Sequence, residues 1–175
     1  VTLLMIPELR ITRHVPVGDG PEGIAATPNG RWIVVALQGS DQVAILDAGS
    51  GAVLARLPTG KTPIRVAVTP NSFTALVSNR GSDDVTVLDV LARKVKTTVR
   101  VGRRPGGVVT NASGTRAYVC NNDSNTVSVL SLPGLEVART IPVGAHPDGI
   151  AFVPRREDTR KARPHQRQTI SYRST

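Results

Sequence analysis

The side chains able to do acid–base, nucleophilic or metal chemistry are few in this sequence, and they do not gather. Its 175 residues hold three histidines, one cysteine and 13 Asp plus Glu. His14 lies in an alternating stretch that reads as a solvated outer strand, and His165 lies in an Arg-rich terminus. His146 stands alone in a Gly- and Pro-marked loop, VGAHPDG (143–149), where an imidazole without companions reads as an exposed residue. The G-x-S-x-G elbow that presents a nucleophilic serine is absent, and so is the H-E-x-x-H face that holds zinc. Asn121-Asn122-Asp123-Ser124-Asn125 has the oxygen-rich start of a calcium loop. It lacks the Gly needed at the sixth position and the Glu needed at the twelfth, and so reads as a turn. A lone cysteine forms neither an internal disulfide nor a thiolate cluster. These residues point to no catalytic group, no metal and no cofactor.

The rest of the composition says what must position any functional group. Hydrophobic residues make up 39% of the chain and aromatics only 3%, so the core is built from Val, Ile, Leu and Ala. No run approaches the 18 or so apolar residues of a membrane span. The formal net charge is +9. Residues 155–175 carry seven Lys and Arg against Glu157 and Asp158, which leaves +5 in the tail and +4 in the body. High charge with little apolar content predicts a disordered, solvated tail. The body has no basic stripe with interleaved aromatics, which argues against specific nucleic-acid binding.

A fixed period organises the chain. Gly18, Gly60, Gly102 and Gly144 are 42 residues apart, and Pro21, Pro63, Pro105 and Pro147 keep the same step. So do Val35/Val77/Val119, Ser40/Ser82/Ser124, Val43/Val85/Val127, Leu46/Leu88/Leu130 and Val53/Val95/Val137. VTLLMIPELRITRHVPVG (1–18) aligns without a gap over VSVLSLPGLEVARTIPVG (127–144). Residues 1–17 are therefore the second half of a repeat, and HPDGIAFVP (146–154) opens another. The pattern stops at Pro154, where a second strand is due and RREDTRKARPHQ follows.

Each repeat reads as four short strands. In the first unit they are GIAATP (23–28), apolar on both faces and expected to be fully buried, RWIVVAL (31–37), QVAILDA (42–48) and the half-exposed AVLARLPTG (52–60). Pro28-Asn29-Gly30 and Asp47-Ala48-Gly49-Ser50-Gly51 supply turn chemistry between them. No window has helical periodicity. Four strands per repeat of about 40 residues is the pattern of a β-propeller blade. A β-solenoid, with shorter repeats and one strand direction per coil, fits less well. The fold class expected is all-β: a partial, open β-propeller of three full four-stranded blades (18–59, 60–101, 102–143). A half blade (1–17) and the start of the next blade (144–154) flank them, and a basic tail (155–175) follows. Two strands from 1–17, twelve from the full units and one from 148–153 make fifteen. Cys120 matches Ala36 and Ser78 across the repeats and is read as a small core residue. Trp32 has no counterpart and is expected to fill a gap at a blade edge.

Each unit resembles a repeat of the YVTN β-propeller family. Val17-Gly18 through Gly30, and Val143-Gly144 through Pro154, match the opening of that repeat. Tyr118-Val119-Cys120-Asn121 and Leu76-Val77-Ser78-Asn79 stand at its naming tetrapeptide. Ser124-Asn125-Thr126-Val127-Ser128-Val129-Leu130 and Asp83-Asp84-Val85-Thr86-Val87-Leu88-Asp89 match its third strand. The third unit departs at Asn111-Ala112-Ser113-Gly114, where the family has T-P-[DN]-G, and the tail departs completely. The family includes surface-layer and secreted proteins, and its fold is shared by lactonase-like and dehydrogenase-subunit propellers. The resemblance implies export, hence a periplasmic or extracellular location. It does not transfer an activity.

In such a propeller the links between blades and the links from second to third strand share one face. The polar, variable positions on that face are Glu22, Arg65, Arg103, Arg104, His146 and Asp148, and these are the candidate binding residues. The expected function is a non-enzymatic scaffold that binds a protein, glycan or surface-layer partner through this face. The alternative is part of a propeller enzyme acting on a small metabolite such as a lactone. The start in mid-repeat and the abrupt loss of register at Pro154 predict a fragment of a longer propeller, with a tail either native and basic or read out of frame. Either partner-supplied missing blades or self-association is then expected.

Overall fold

The computed structural model describes residues 1–5 and 8–154. The expected basic tail lies outside the described residues. Fourteen strands and a single 3-10 turn are formed among those described. A two-stranded sheet comes first, from β1 (Thr2–Met5) and β2 (Arg10–His14). Blade 1 is β3 (Pro21–Ala26), β4 (Trp32–Leu37), β5 (Gln42–Asp47) and β6 (Val53–Pro58). Blade 2 is β7 (Pro63–Val68), β8 (Thr74–Asn79), β9 (Asp84–Asp89) and β10 (Lys94–Arg100). Blade 3 is β11 (Pro105–Thr110), β12 (Arg116–Asn121), β13 (Thr126–Ser131) and β14 (Glu136–Pro142), with the 3-10 turn Asn122–Ser124 between β12 and β13. Within each blade the strands lie in chain order and pair antiparallel. The inner strands β3, β7 and β11 stand side by side. The result is an open β-propeller arc.

The core lies between the blades, because a single sheet has nothing of its own to bury against. Alternate residues of β4 point to opposite neighbours. Trp32, Val34 and Ala36 join Ala75, Val77, Leu88 and Val90 in the seam between blades 1 and 2. Val35 and Leu37 join Val15 and Val17 in the seam with the two-stranded sheet. Leu76, Val85 and Val87 meet Ala117, Val119 and Leu130 between blades 2 and 3. The middle strands are therefore apolar on both faces, while outer strands such as β10 and β14 are mostly exposed.

The tight turns set the backbone. Four positions of the repeat take a left-handed φ wherever they occur. They are Leu9/Gly51/Arg93/Leu135, Gly20/Thr62/Arg104/His146, Gly30/Ser72/Gly114 and Asp41/Asp83/Asn125. Such φ values cost non-glycine residues energy unless the surroundings hold them. In the first turn of blade 1, Thr27 Oγ1 accepts from Trp32 N at 3.0 Å and donates to Asn29 Oδ1 at 2.7 Å. Thr69, Asn71 and Thr74 repeat this in blade 2. The odd turn of blade 3 reaches the same shape by a different bond: Asn111 Oδ1 accepts from both Thr115 N and Arg116 N at 2.9 Å.

Three expectations need correction. The inner strands are not fully buried: Ile24 is 53% exposed, Arg65 of β7 is exposed and Val66–Val68 are half-buried, because they face the open centre of the arc. Residues 148–153 form no strand, so fourteen strands stand where fifteen were expected. That segment meets β11 through one backbone bond, Gly107 N to Asp148 O at 2.8 Å, and β12 through Phe152 stacked on Tyr118 with centroids 6.1 Å apart. Trp32 fills no edge gap. It is buried in the seam between blades 1 and 2, with the Arg31 guanidinium 5.0 Å from its ring centroid.

Leu88 is fully buried in a seam, so Leu88→Ala is expected to cost about 2–5 kcal/mol in denaturant unfolding. The exposed Lys96→Ala should stay within about 0.5 kcal/mol of the parent. Leu4, Met5 and Ile11 stand exposed on the two-stranded sheet. Apolar residues there, together with open strand edges, should make the 175-residue chain self-associate at micromolar concentration by light scattering. Leu4→Lys with Ile11→Lys should shift it towards monomer.

Candidate functional site

The face that carries the candidate residues is held by a repeated backbone latch. Asp41 in the β4–β5 turn accepts from Thr59 N through its carbonyl at 3.0 Å and from Thr62 N through its carboxylate at 2.8 Å. Asp83 does the same for Val101 N at 3.0 Å and Arg104 N at 2.8 Å. Asn125 does so for Val143 N and His146 N, both at 2.9 Å. From the other side the following blade grips the same linkers. Ser82 Oγ accepts from Lys61 N at 2.9 Å, and Ser124 Oγ accepts from Arg103 N at 2.7 Å. Thr62 O and Arg104 O accept from Arg80 N and Asn122 N. Linkers 59–62 and 101–104 are thus stapled between two blades, and the repeated Ser82/Ser124 column supplies one of the staples.

Beneath the latches of blades 2 and 3 lies a buried amide. Asn79 Nδ2 donates to Asp84 Oδ1 at 2.6 Å and to Thr86 Oγ1 at 2.8 Å. Asn121 Nδ2 donates to Thr126 Oγ1 and Ser128 Oγ, both at 2.9 Å. The glycine column packs directly on these side chains. A Cβ at Gly102 would lie 2.6 Å from Asn121 Cγ. In blade 1 the amide is replaced by Leu37, and a Cβ at Gly18 would lie 2.7 Å from Leu37 Cδ1. The glycines recur because the chain must cross closely over residue 37, 79 or 121.

The six candidate residues fall into three groups on this frame. Glu22 and Arg65 meet as an ion pair at 2.8 Å across blades 1 and 2, with side chains 43% and 46% exposed in the order Glu22, Arg65. Arg103 donates from its guanidinium to Asp123 O at 2.9 Å, and Arg104 stands 3.6 Å from the Asp123 carboxylate. His146 and Asp148 lie further on, on the segment beyond blade 3. Cys120 sits close by, 2% exposed, its thiol directed at Gly149 O at 3.8 Å. Burial first, and the Asp148 charge second, push that thiol above its ordinary pKa, which suits a core residue rather than a nucleophile. The six do not converge on one pocket. Among the described residues no three His, Cys, Asp or Glu side chains come together as a metal site.

Sequence reasoning missed Asp123, which ties the two arginines together, and the latch acceptors Asp41, Asp83 and Asn125. The signal for the latter was available as a D/D/N column at the repeat spacing. Asn79 and Asn121 stand in the tetrapeptides, and their hydroxyl and carboxylate partners lie five and seven residues further on.

Blades stacked around a channel, inner strands abreast and linkers latched on one face define a β-propeller. The model of the YNCE-like beta-propeller family matches residues 7–162, and the chain belongs to that family. No curated protein sequence matches it. Among solved structures it is similar to Kuenenia stuttgartiensis hydrazine synthase, at 25% identity and a TM-score of 0.72, over 83% of this chain and 41% of that one. It is similar to a functionally unknown protein from Desulfotomaculum acetoxidans, at 20% identity and a TM-score of 0.71, over 79% and 47% of the two chains. The WD40 repeats of RRP9 share the fold at 14% identity and a TM-score of 0.65, over 76% and 41%. The chain therefore spans less than half the length of each of these proteins.

Asn79→Leu should cost about 1–3 kcal/mol by leaving buried Asp84 without its amide donor. The triple variant Asn79→Leu, Asp84→Gln, Thr86→Ala copies Leu37, Gln42 and Ala44 of blade 1 and should recover most of that loss in urea unfolding.

Proposed function

We propose that this chain is a non-enzymatic propeller scaffold that binds a protein or glycan partner, such as a surface-layer component, through its latched loop face. The observation that carries this reading is the latch itself. Side-chain oxygens of the neighbouring turns fix the backbone of residues 103, 104 and 146, while their side chains stand exposed on the loop face, Arg103 and Arg104 gathered at Asp123. A binding surface so arranged loses little backbone freedom on association. The inner strands support the same reading. Their ionisable groups are Glu22 and Arg65, and these two neutralise each other in an ion pair. General acid–base catalysis requires a titratable group free to reach the reacting atom. An exported location, in the periplasm or outside the cell, fits a scaffold of this kind and belongs to the same proposal.

The test places a photo-crosslinking side chain at Arg103 and, as control, at Ala92 in the β9–β10 turn on the opposite face. Both versions are exposed to cell-envelope extract and to a glycan array. A partner identified from the Arg103 version and not from the Ala92 version is expected. Arg103→Glu with Arg104→Glu should weaken its binding roughly tenfold, with reduced salt dependence. Equal capture from both faces, or turnover of a lactone by the purified chain, would overturn the reading.

A further inference from the structure

The three seams between sheets are built from equivalent residues, yet they are filled differently. Between the two-stranded sheet and blade 1, Arg56 reaches across from β6 and its Nε–H donates to Val17 O at 3.0 Å. Residue 56 recurs as Thr98 and Thr140, and Val17 recurs as Thr59 and Val101. Between blades 1 and 2 Thr98 stands for Arg56, and Asp84, 7% exposed and held by the Asn79 amide, lies against Gly60. Between blades 2 and 3 neither side chain is present. Thr140 stands for Arg56, Thr126 stands for Asp84, and a cavity of about 330 Å³ opens there. Val101 and Gly102 line it from blade 2, and Thr126, Ser128, Val137 and Thr140 line it from blade 3.

We propose that this cavity receives an arginine side chain of a partner protein, in the manner in which the first seam receives Arg56. The chemistry repeats. Val101 O stands where Val17 O accepts the Arg56 guanidinium. Val137 and the threonine methyls offer an apolar wall for the aliphatic stem, and the Ser128 and Thr140 hydroxyls offer further acceptors. A guanidinium presents five donors and suits such a set of neutral oxygens. The proposal rests on the reading that the loop face binds a protein, since the linker residue Gly102 and the latch serine Ser124 both border the cavity.

Arg100 also borders the cavity, and its charge opposes a second cation. Its guanidinium is turned to Ser82 O at 3.1 Å and exposed to solvent, where salt screens it over about 8 Å. It therefore provides the sign of the test. A site for arginine is strengthened when Arg100 is made acidic, and a site for an anion is weakened.

The experiment follows valine methyl signals of the full chain while N-acetyl-arginine amide is added, with the lysine and citrulline analogues as controls. Shifts at Val101 and Val137 are expected with arginine, severalfold weaker with lysine and absent with citrulline. Thr140→Arg should abolish them by seating its own guanidinium on Val101 O. Thr140→Leu, which fills the cavity without charge, should abolish them too, so a folding failure of one variant leaves the other. Arg100→Glu should tighten binding severalfold. Equal shifts with citrulline, weaker binding in Arg100→Glu, or no shift at tens of millimolar arginine would overturn the proposal. Absent shifts combined with partner binding that still depends on Arg103 and Arg104 would overturn this inference alone and leave the scaffold reading standing.

Discussion

A blade of this protein is one sheet thick, and it can hide its apolar faces only against another blade. That constraint governs the rest. It requires the middle strands to be apolar on both sides, as Val34/Val35 and Leu76/Val77 are, with successive residues serving opposite seams. The seams are filled here almost wholly by aliphatic residues, with Trp32 packed among them between blades 1 and 2. The same constraint also requires the polar backbone of the links to be satisfied without opening the seam. The latch meets that need by bonding linkers 59–62 and 101–104 to the blade before and the blade after.

The fold was legible because the constraint repeats with the repeat. Once Gly18, Gly60, Gly102 and Gly144 are aligned, every other column follows. The errors came where identical patterns meet different surroundings. Ile24 reads like any core isoleucine, but its strand borders the centre of an open arc and its side chain is exposed. Ile150-Ala151-Phe152 reads like an inner strand, and a strand needs a partner along its length. Here it is held chiefly by Gly107 and Tyr118. Trp32 is solitary in sequence, which suggested an edge, yet its size is accommodated in a seam opposite Ala75.

The candidate site was legible only in part. The loop face could be named from topology, and the charged residues on it could be counted. Which of them meet could not be read, because the Glu22–Arg65 pair is formed between blades, 43 positions apart. Arg104 likewise appears free in sequence, while its backbone is fixed by Asp83 and its guanidinium is drawn towards Asp123. Hydrogen-bonded columns carry a fainter signal than apolar ones. Asp and Asn substitute for each other as acceptors in the latch, and Asn111 replaces a threonine without altering the turn it closes.

The unlike filling of the seams bears on how such a chain folds at all. Tandem units of near-identical sequence invite a blade to pack on the wrong neighbour, a recurrent fault of repeat proteins. Blade 2 displaced onto the two-stranded sheet would set Thr98 opposite Val17 and leave the Val17 carbonyl without the guanidinium that Arg56 brings. It would also press the Asp84 carboxylate towards the apolar side chains of Val15 and Val17. Arg56 at one recurring position, with threonine at its equivalents, and Asp84 at another thus act as an address. Each blade is labelled for its own place in the series, and a misordered stack is penalised at the first seam it forms.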